Sequence, residues 1–296
     1  MFKSLCLFGY SPLFKDIENI CQKLDIDLTI ICGNRQLMSI KDLGLEIKKN
    51  KINKLKTLKN NQLKKIFKKN DSLLGLSFGS PFIFSHSDIN FFSGNLLNSH
   101  GAPLPEFKGG GGFSWRILQG DKRGSSLMHY VNTEIDEGKI VFRHNFSFSN
   151  NEILPYHYEE RQLKEDRENI IPWIDSILKE PSKLKGLKKT NNNNQESYFP
   201  RLTTEIHGFI NWEININSLQ RNIRAFSRPY PGAKTYIKGQ EVRIFDCEIL
   251  QEKYFHPFLA GLVLHQNNEY YQIAAEGGLI GIKKDDVFLI NKKTKI

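Results

Sequence analysis

Three short apolar runs in the first third of the chain, KSLCLFGYS, DLTIICGN and SLLGLSFG, constrain the fold more than any other feature. Each is nearly continuous in apolar residues rather than alternating, which marks strands buried on both faces, and each closes on a glycine turn. Between the first two lies PLFKDIENICQKLDI, where Leu13, Ile17, Ile20, Cys21 and Leu24 recur at helical spacing. FIFSHSDINFF carries a short helix, and GNLLNSH reads as a further strand. Strands joined by helices and ended by glycines specify a mainly parallel α/β sheet. In such sheets chemistry collects at the carboxyl ends of the strands, and Asn98 and His100 fall at one of them.

Downstream, YHYEERQLKEDRENIIPWIDSILKE reads as a long helix that Pro172 kinks or divides. PSKLKGLKKTNNNNQESYFPRL is polar and of low complexity, the composition of a linker or exposed loop. NSLQRNIRAFSRP has helical spacing and stops at Pro229. The tail then breaks into short segments of β character (KTYIKG, EVRIFDCEIL, LAGLVLHQ, YYQIAAEGG, LIGIKK), a small antiparallel β unit. The organisation expected is an N-terminal catalytic domain over 1–180, a linker over 181–200 and a β-rich domain over 201–296.

Composition narrows the function classes. No apolar run approaches the ~18 residues of a membrane span. MFKSLCLFGYS lacks the pattern of a secretory signal and is expected as a first strand. Cys6, Cys21, Cys32 and Cys247 show no CxxC spacing, which suits reduced core thiols of a cytoplasmic protein. No metal is expected, because His86, His144, His157, His207, His256 and His265 have no ligand spacing. Ser77, Ser80 and Ser85 lack a GxSxG nucleophile elbow. The net charge of +10 resides in one segment: residues 48–69 hold ten lysines and no acid, and without them the 42 basic residues balance the 32 acidic ones. That segment reads as a patch for phosphate or RNA, or as a solvated helix face over Leu63, Ile66 and Phe67; lacking arginines or an RNA motif, it favours the second.

Asn98 and His100, at i and i+2, point to one side of an extended strand end. Histidine trades protons near neutral pH, and a neutral amide donates to a developing oxyanion without competing for them. A carboxylate near the imidazole would fix its tautomer, and Asp136, in the loop TEIDEGKIV, is the best placed. Spacing alone leaves a structural role open for this histidine.

NSHGAPLPEFKG, followed by FSWRILQGDKRGSSLMHYV and IDEGKIV, resembles the folate-dependent formyltransferase family, most of all its sugar-nucleotide N-formyltransferases. Order and spacing agree across residues 77–142. YFPRLTTEIHGFINWEI and IRAFSRPYPGAKTYIKG resemble the C-terminal extension of longer members. The resemblance implies a Rossmann-like core with a mainly parallel sheet and a smaller C-terminal β-rich, barrel-like domain. It implies N10-formyltetrahydrofolate as co-substrate and an amine as acceptor. Asn98 would hold the formyl oxygen, His100 would stabilise the same charge and help move protons, and Asp136 would orient His100 and help take a proton from the amine. The folate site would fall on Phe82, Ile83 and Phe84 and on the loop Asn132, Thr133, Glu134 and Ile135.

Lys108, Gly110, Trp115 and His129 are candidate contacts for the acceptor. FSWRIL, His129 and RPYPGA resemble the sugar-nucleotide members most, which implies as acceptor a nucleotide-linked amino-deoxysugar of a surface-glycan precursor such as lipopolysaccharide, with a homodimer as the expected assembly. The tail and the lysines keep methionyl-tRNA as an alternative, and only there would nucleic acid be a partner. A non-catalytic homologue that binds folate or nucleotide, and a hydrolase releasing formate, stand beside these. Ala102-Pro103-Leu104-Pro105 and Lys108-Gly109 depart from the family's usual Ser-Leu-Leu-Pro and Arg-Gly. The tract Gly109–Gly112 matches neither GxxxxGK nor GxGxxG, and reads as backbone allowing close approach beside the catalytic strand or as a loop leading into a helix.

Overall fold

The computed structural model describes residues 2–46, 51–58, 60–67, 72–110, 112–187, 196–237 and 239–289. They group into two compact units, each drawn from separate stretches of chain. The first takes Met1–Gly109, Arg123–Phe146 and Arg161–Tyr198; the second takes Gly110–Lys122, Ser147–Glu160 and Phe199–Ile296. The segment expected as a linker is described only in part: Pro181–Lys183 is a 3-10 turn, and residues 188–195 lie outside the described set.

The first unit is organised by strands β1 (Ser4–Gly9), β2 (Asp27–Cys32), β3 (Ile52–Lys54), β4 (Leu73–Phe78) and β5 (Leu96–His100). Two short strands, β6 (Lys108–Gly109) and β9 (Tyr198–Phe199), stand apart from them, and β7 (Arg123–Tyr130) and β8 (Ile140–Ser147) complete a seven-stranded sheet in the order β3-β2-β1-β4-β5-β7-β8. The pairs β2–β3, β1–β2, β1–β4 and β4–β5 are parallel, and β5–β7 is antiparallel. The apolar runs are the central strands: every residue of β4, and all of β1 after Ser4, is buried. This is the burial that a parallel sheet covered on both faces demands.

Helix α1 (Phe14–Lys23) lays Phe14, Ile17, Ile20 and Cys21 against the sheet, as its periodicity specifies. Short helices α2 (Leu37–Asp42), α3 (Asn60–Ile66) and α4 (His86–Phe91) follow. The last opens on a capping box in which Ser85 Oγ accepts from the Asp88 N–H and the Asp88 carboxylate accepts from the Ser85 N–H, fixing the loop before it. In α3, Leu63 is buried and Ile66 and Phe67 pack on the same cluster, while Lys54, Lys56, Lys64 and Lys65 are exposed. Lys51 is half-buried and pairs with Asp27, and Lys48, Lys49, Lys59, Lys68 and Lys69 lie outside the described residues.

Pro172 does not divide the helix: α6 runs over Pro155–Lys179 with the proline inside it. A proline inside a helix costs about 3 kcal/mol. Here Ile170, Ile174, Ile177 and Leu178 are fully buried on both sides of it, and each buried aliphatic side chain returns about 1.5–3 kcal/mol. Packing therefore overrides local propensity.

Asp166, on the same helix, is pH-sensitive. Burial pushes its carboxyl up to about 6, against hydrogen bonds donated by Ser126 Oγ and Gln162 Nε2. The folded state holds this proton more tightly than the unfolded chain, whose carboxylates titrate near about 4. Stability is therefore lost as pH rises from there through about 6, and the loss is complete above it. Asp166→Asn keeps an acceptor for both donors. It is expected to exceed the parent in stability by about 3 kcal/mol at alkaline pH, the difference closing towards about pH 4. Urea midpoints at the two extremes check this.

The second unit holds α5 (Gly112–Gln119), α7 (Thr204–His207) and α8 (Ile216–Ala225) with β10 (Ala233–Ile237), β11 (Gln240–Ile244), β12 (Glu248–Glu252), β13 (Val263–Gln266), β14 (Tyr270–Ala275), β15 (Gly278–Lys283) and β16 (Val287–Leu289). They form antiparallel sheets of order β10-β11-β16 and β12-β15-β14-β13, the β-rich tail read from the sequence. Helix α8 buries Ile216, Leu219, Ile223 and Ala225, and Ser114 Oγ of α5 donates to the Ala225 carbonyl at 2.8 Å. Arg116 of α5 is fully buried, its guanidinium 5.3, 5.0 and 5.6 Å from the rings of Phe113, Phe148 and Tyr158. That is a cationic strut in an aromatic box.

Candidate active site

Sheet register assembles the first half of the site. Ser77 on β4 lies directly opposite Asn98 on β5, and Asn98 lies directly opposite His129 on β7. Cross-strand partners share a sheet face, so the three side chains form a row perpendicular to the strands. Ser77 Oγ donates to Asn98 Oδ1 at 2.8 Å, and Asn98 Nδ2 lies 3.2 Å from His129 Nε2. His100, two residues along β5, shares that face.

The second half comes from the loop after β7. Asp136 takes a left-handed backbone, with φ of 56°. A Cβ on Gly138 would collide with the Tyr130 carbonyl, so only glycine lets the loop fold back onto β7. Gly109, itself at φ 96°, donates its N–H to Asp136 Oδ2 at 2.8 Å. The carboxylate then lies 3.7 Å from His100 Nδ1 and 3.4 Å from His129 Nε2. Gly138→Ala is expected to displace the loop, costing at least about 2 kcal/mol in thermal or urea unfolding and at least about tenfold in turnover.

Charge and proton positions follow from these contacts. Burial acts to raise the Asp136 carboxyl, but the His129 hydrogen bond, the His100 charge, the Gly109 N–H and the His129 charge outweigh it and hold it below the usual range. His100 Nε2 is 2.7 Å from the Phe107 carbonyl, which can only accept, so Nε2 carries a proton and Nδ1 faces Asp136. His129 Nδ1 likewise donates to the Tyr130 carbonyl at 2.8 Å. Its Nε2 stands between partners of opposite demand, accepting from Asn98 when the ring is neutral and donating to Asp136 when it is charged. The arrangement supplies an amide donor, an imidazole oriented by a carboxylate, and a carboxylate kept ionised. It can stabilise a developing oxyanion and carry one proton.

The structure brings Asn98, His100 and Asp136 together, as the motif implies. His129, read as a substrate contact, is instead buried within this cluster with both ring nitrogens engaged. Lys108 is also buried: its ammonium bridges Glu137 and Glu196 at 2.8 and 2.7 Å, tying down the residue next to Asp136. Of the folate candidates, Phe82 packs in the core cluster with Phe8 and Phe92, and Phe84 meets Phe8 edge-on at 5.0 Å. Ile83 is 80 % exposed and Ile135 48 %, and Asn132, Thr133 and Glu134 are exposed.

Gly110 and Trp115 belong to the second unit, where the Gly110 N–H donates to the Phe199 carbonyl and the indole N–H to that of Pro200, each within 2.9 Å. The glycine tract thus divides its work: Gly109 grips the carboxylate, and Gly112 starts α5. Sequence reasoning missed Ser77 as a partner of Asn98, the Phe107 carbonyl, and Glu137 as the partner of Lys108. Ser77 had no motif to announce it, because only the β4–β5 register pairs it with Asn98. Among the described residues, no group of His, Cys, Asp or Glu is placed to hold a metal, and no helix is long and apolar enough to cross a membrane.

Family models agree with this architecture. The formyl transferase model matches residues 80–171, the stretch that carries Asn98, His100 and Asp136, and the formyl transferase C-terminal domain model matches residues 203–289. Together they span more than half of the chain, which belongs to the formyltransferase family. A methionyl-tRNA formyltransferase of Clostridium tetani (strain Massachusetts / E88) is 21 % identical over 214 residues, covering 72 % of this chain and 66 % of that relative. The fold is that of WlaRD, a sugar 3N-formyltransferase solved in the presence of dTDP and 5-N-formyl-THF (TM-score 0.63, 19 % identity, 96 % of this chain and 98 % of that one). It is also that of an N-formyltransferase from Helicobacter canadensis in complex with folinic acid and dTDP-3-aminofucose (TM-score 0.65, 18 % identity, 96 % and 99 %).

Proposed function

We propose that this chain is an N-formyltransferase that moves a formyl group from N10-formyltetrahydrofolate to the amine of a nucleotide-linked amino-deoxysugar. The observation that carries the reaction class is the convergence of the Asn98 amide, the His100 imidazole and the Asp136 carboxylate on one side of β5. Transfer joins the amine nitrogen to the formyl carbon, frees the donor nitrogen, and carries one proton from the first to the second. Asn98 donates to the formyl oxygen as it gains charge, and the His100 imidazole adds to that field. Asp136, ionised at neutral pH, orients His100 and receives the proton the amine gives up. The donor supplies an activated formyl group, and Ile83, Ile135 and the loop from Asn132 to Asp136 would hold its pterin. The enzyme acts as a homodimer in the cytoplasm on a surface-glycan precursor. Four free, buried cysteines suit a reducing compartment.

The sugar reading is supported by FSWRIL and RPYPGA in the sequence and by the ligands of the two solved relatives, dTDP in one and dTDP-3-aminofucose in the other. A second reading, methionyl-tRNA as acceptor, is favoured by the Clostridium tetani relative and by the ten lysines of residues 48–69. An assay separates them: protein, N10-formyltetrahydrofolate and either a panel of amino-sugar nucleotides or methionyl-tRNA, followed by tetrahydrofolate release and product mass. One added formyl group on a sugar nucleotide is the expected result. Formylation of the tRNA alone would overturn the sugar reading. Formate release without an acceptor would make the protein a hydrolase, and folate binding without turnover a binding homologue.

A further inference from the structure

Asn98 can serve an oxyanion only if its amide nitrogen, not its oxygen, is presented to the reacting group, and a side-chain amide is free to rotate unless both ends are held. The two ends meet different neighbours here. Oδ1 receives the Ser77 hydroxyl at 2.8 Å, and Nδ2 faces His129 Nε2 at 3.2 Å. The direction is not arbitrary, because the Tyr130 carbonyl keeps the proton of a neutral His129 on Nδ1 and leaves Nε2 as an acceptor. With the His129 ring neutral one amide hydrogen is thereby used, and among the described residues no protein acceptor takes the second.

We propose that Ser77 is a positioning residue for formyl transfer: by occupying Asn98 Oδ1 it anchors the amide so that the remaining N–H is presented to the formyl oxygen. The inference rests on the formyl-transfer reading for its function, but the anchor is a property of the row itself. Ser77 is 1 % exposed on a strand buried throughout, so neither water nor substrate takes its place. It lies in register with Asn98, which sets the distance by backbone geometry rather than by a mobile loop. Removing the hydroxyl leaves Oδ1 against a methyl group. The amide then turns to find another donor and withdraws its hydrogen from His129.

Ser77→Ala tests this in the full-length protein. The expected kinetic result is a fall in kcat of about tenfold, with KM for donor and acceptor within about twofold, because the anchor acts on charge that develops only in the transition state. Ser77→Thr, which keeps the hydroxyl, is expected to recover kcat to within about threefold of the parent. The second readout needs no substrate. Nitrogen-15 spectra of the imidazoles should show His129 Nε2 shifting in Ser77→Ala and returning towards the parent position in Ser77→Thr. An unchanged kcat in Ser77→Ala, or a lost kcat with the His129 resonances unmoved, would overturn the proposal. If the parent transfers no formyl group to any acceptor, the functional reading fails while the nitrogen-15 comparison still decides whether Ser77 anchors the amide.

Discussion

Asn98→Ala is expected to lower kcat for formyl transfer by about 10²–10³-fold while leaving KM for both substrates within about threefold. The asymmetry follows from geometry. The ground-state carbonyl carries little charge, so the amide contributes little to binding; the oxygen becomes anionic only as the amine adds. Asn98 has no net charge, so its removal should leave the ionisation of Asp136 and the acid limb of the pH profile unchanged. Stability should fall by about 1–3 kcal/mol, since Ser77, buried at 1 % exposure, loses its acceptor. Steady-state kinetics with urea unfolding on the same preparation checks both. A rise in KM with kcat retained would place Asn98 in ground-state binding and remove it from the chemistry.

Much of this architecture is visible in the sequence because burial writes directly onto composition. SLCLFG and LLGLSF read as buried strands, and they are β1 and the fully buried β4. Asn98, His100 and Asp136 were legible as a motif whose order survives in one stretch. What escaped depends on register and on approach through space. Ser77 sits 21 residues before Asn98 and meets it only because β4 and β5 pair in one register. Lys108 looked like a ligand contact because a sequence does not show that Glu137 and Glu196 will enclose it. His129 was marked as functional, but its place behind Asn98 required the antiparallel β5–β7 pairing. Pro172 invites a division of the helix that does not occur, because local propensity does not show the buried stripe that holds both halves in one helix.

Asp136→Asn isolates charge from shape and is the sharpest test of the carboxylate. The substitution keeps an acceptor for the Gly109 N–H and removes the anion beside His100 and His129. Turnover is expected to fall by about 10²–10⁴-fold, the range for loss of a positioned general base. Stability behaves differently. The group's folded pKa is depressed, so its contribution is present above the unfolded carboxylate value and is lost only as pH falls through a point below it. Between neutrality and about pH 5 the parent's Asp136 stays ionised. Parent and variant should therefore keep a difference in unfolding midpoint above about pH 5, converging only in more acid solution. That amount is small, because burial of the carboxylate already offsets much of what its partners contribute. A variant that loses turnover without losing stability identifies Asp136 as chemistry. A variant that loses both in proportion identifies it as a structural tether for the loop.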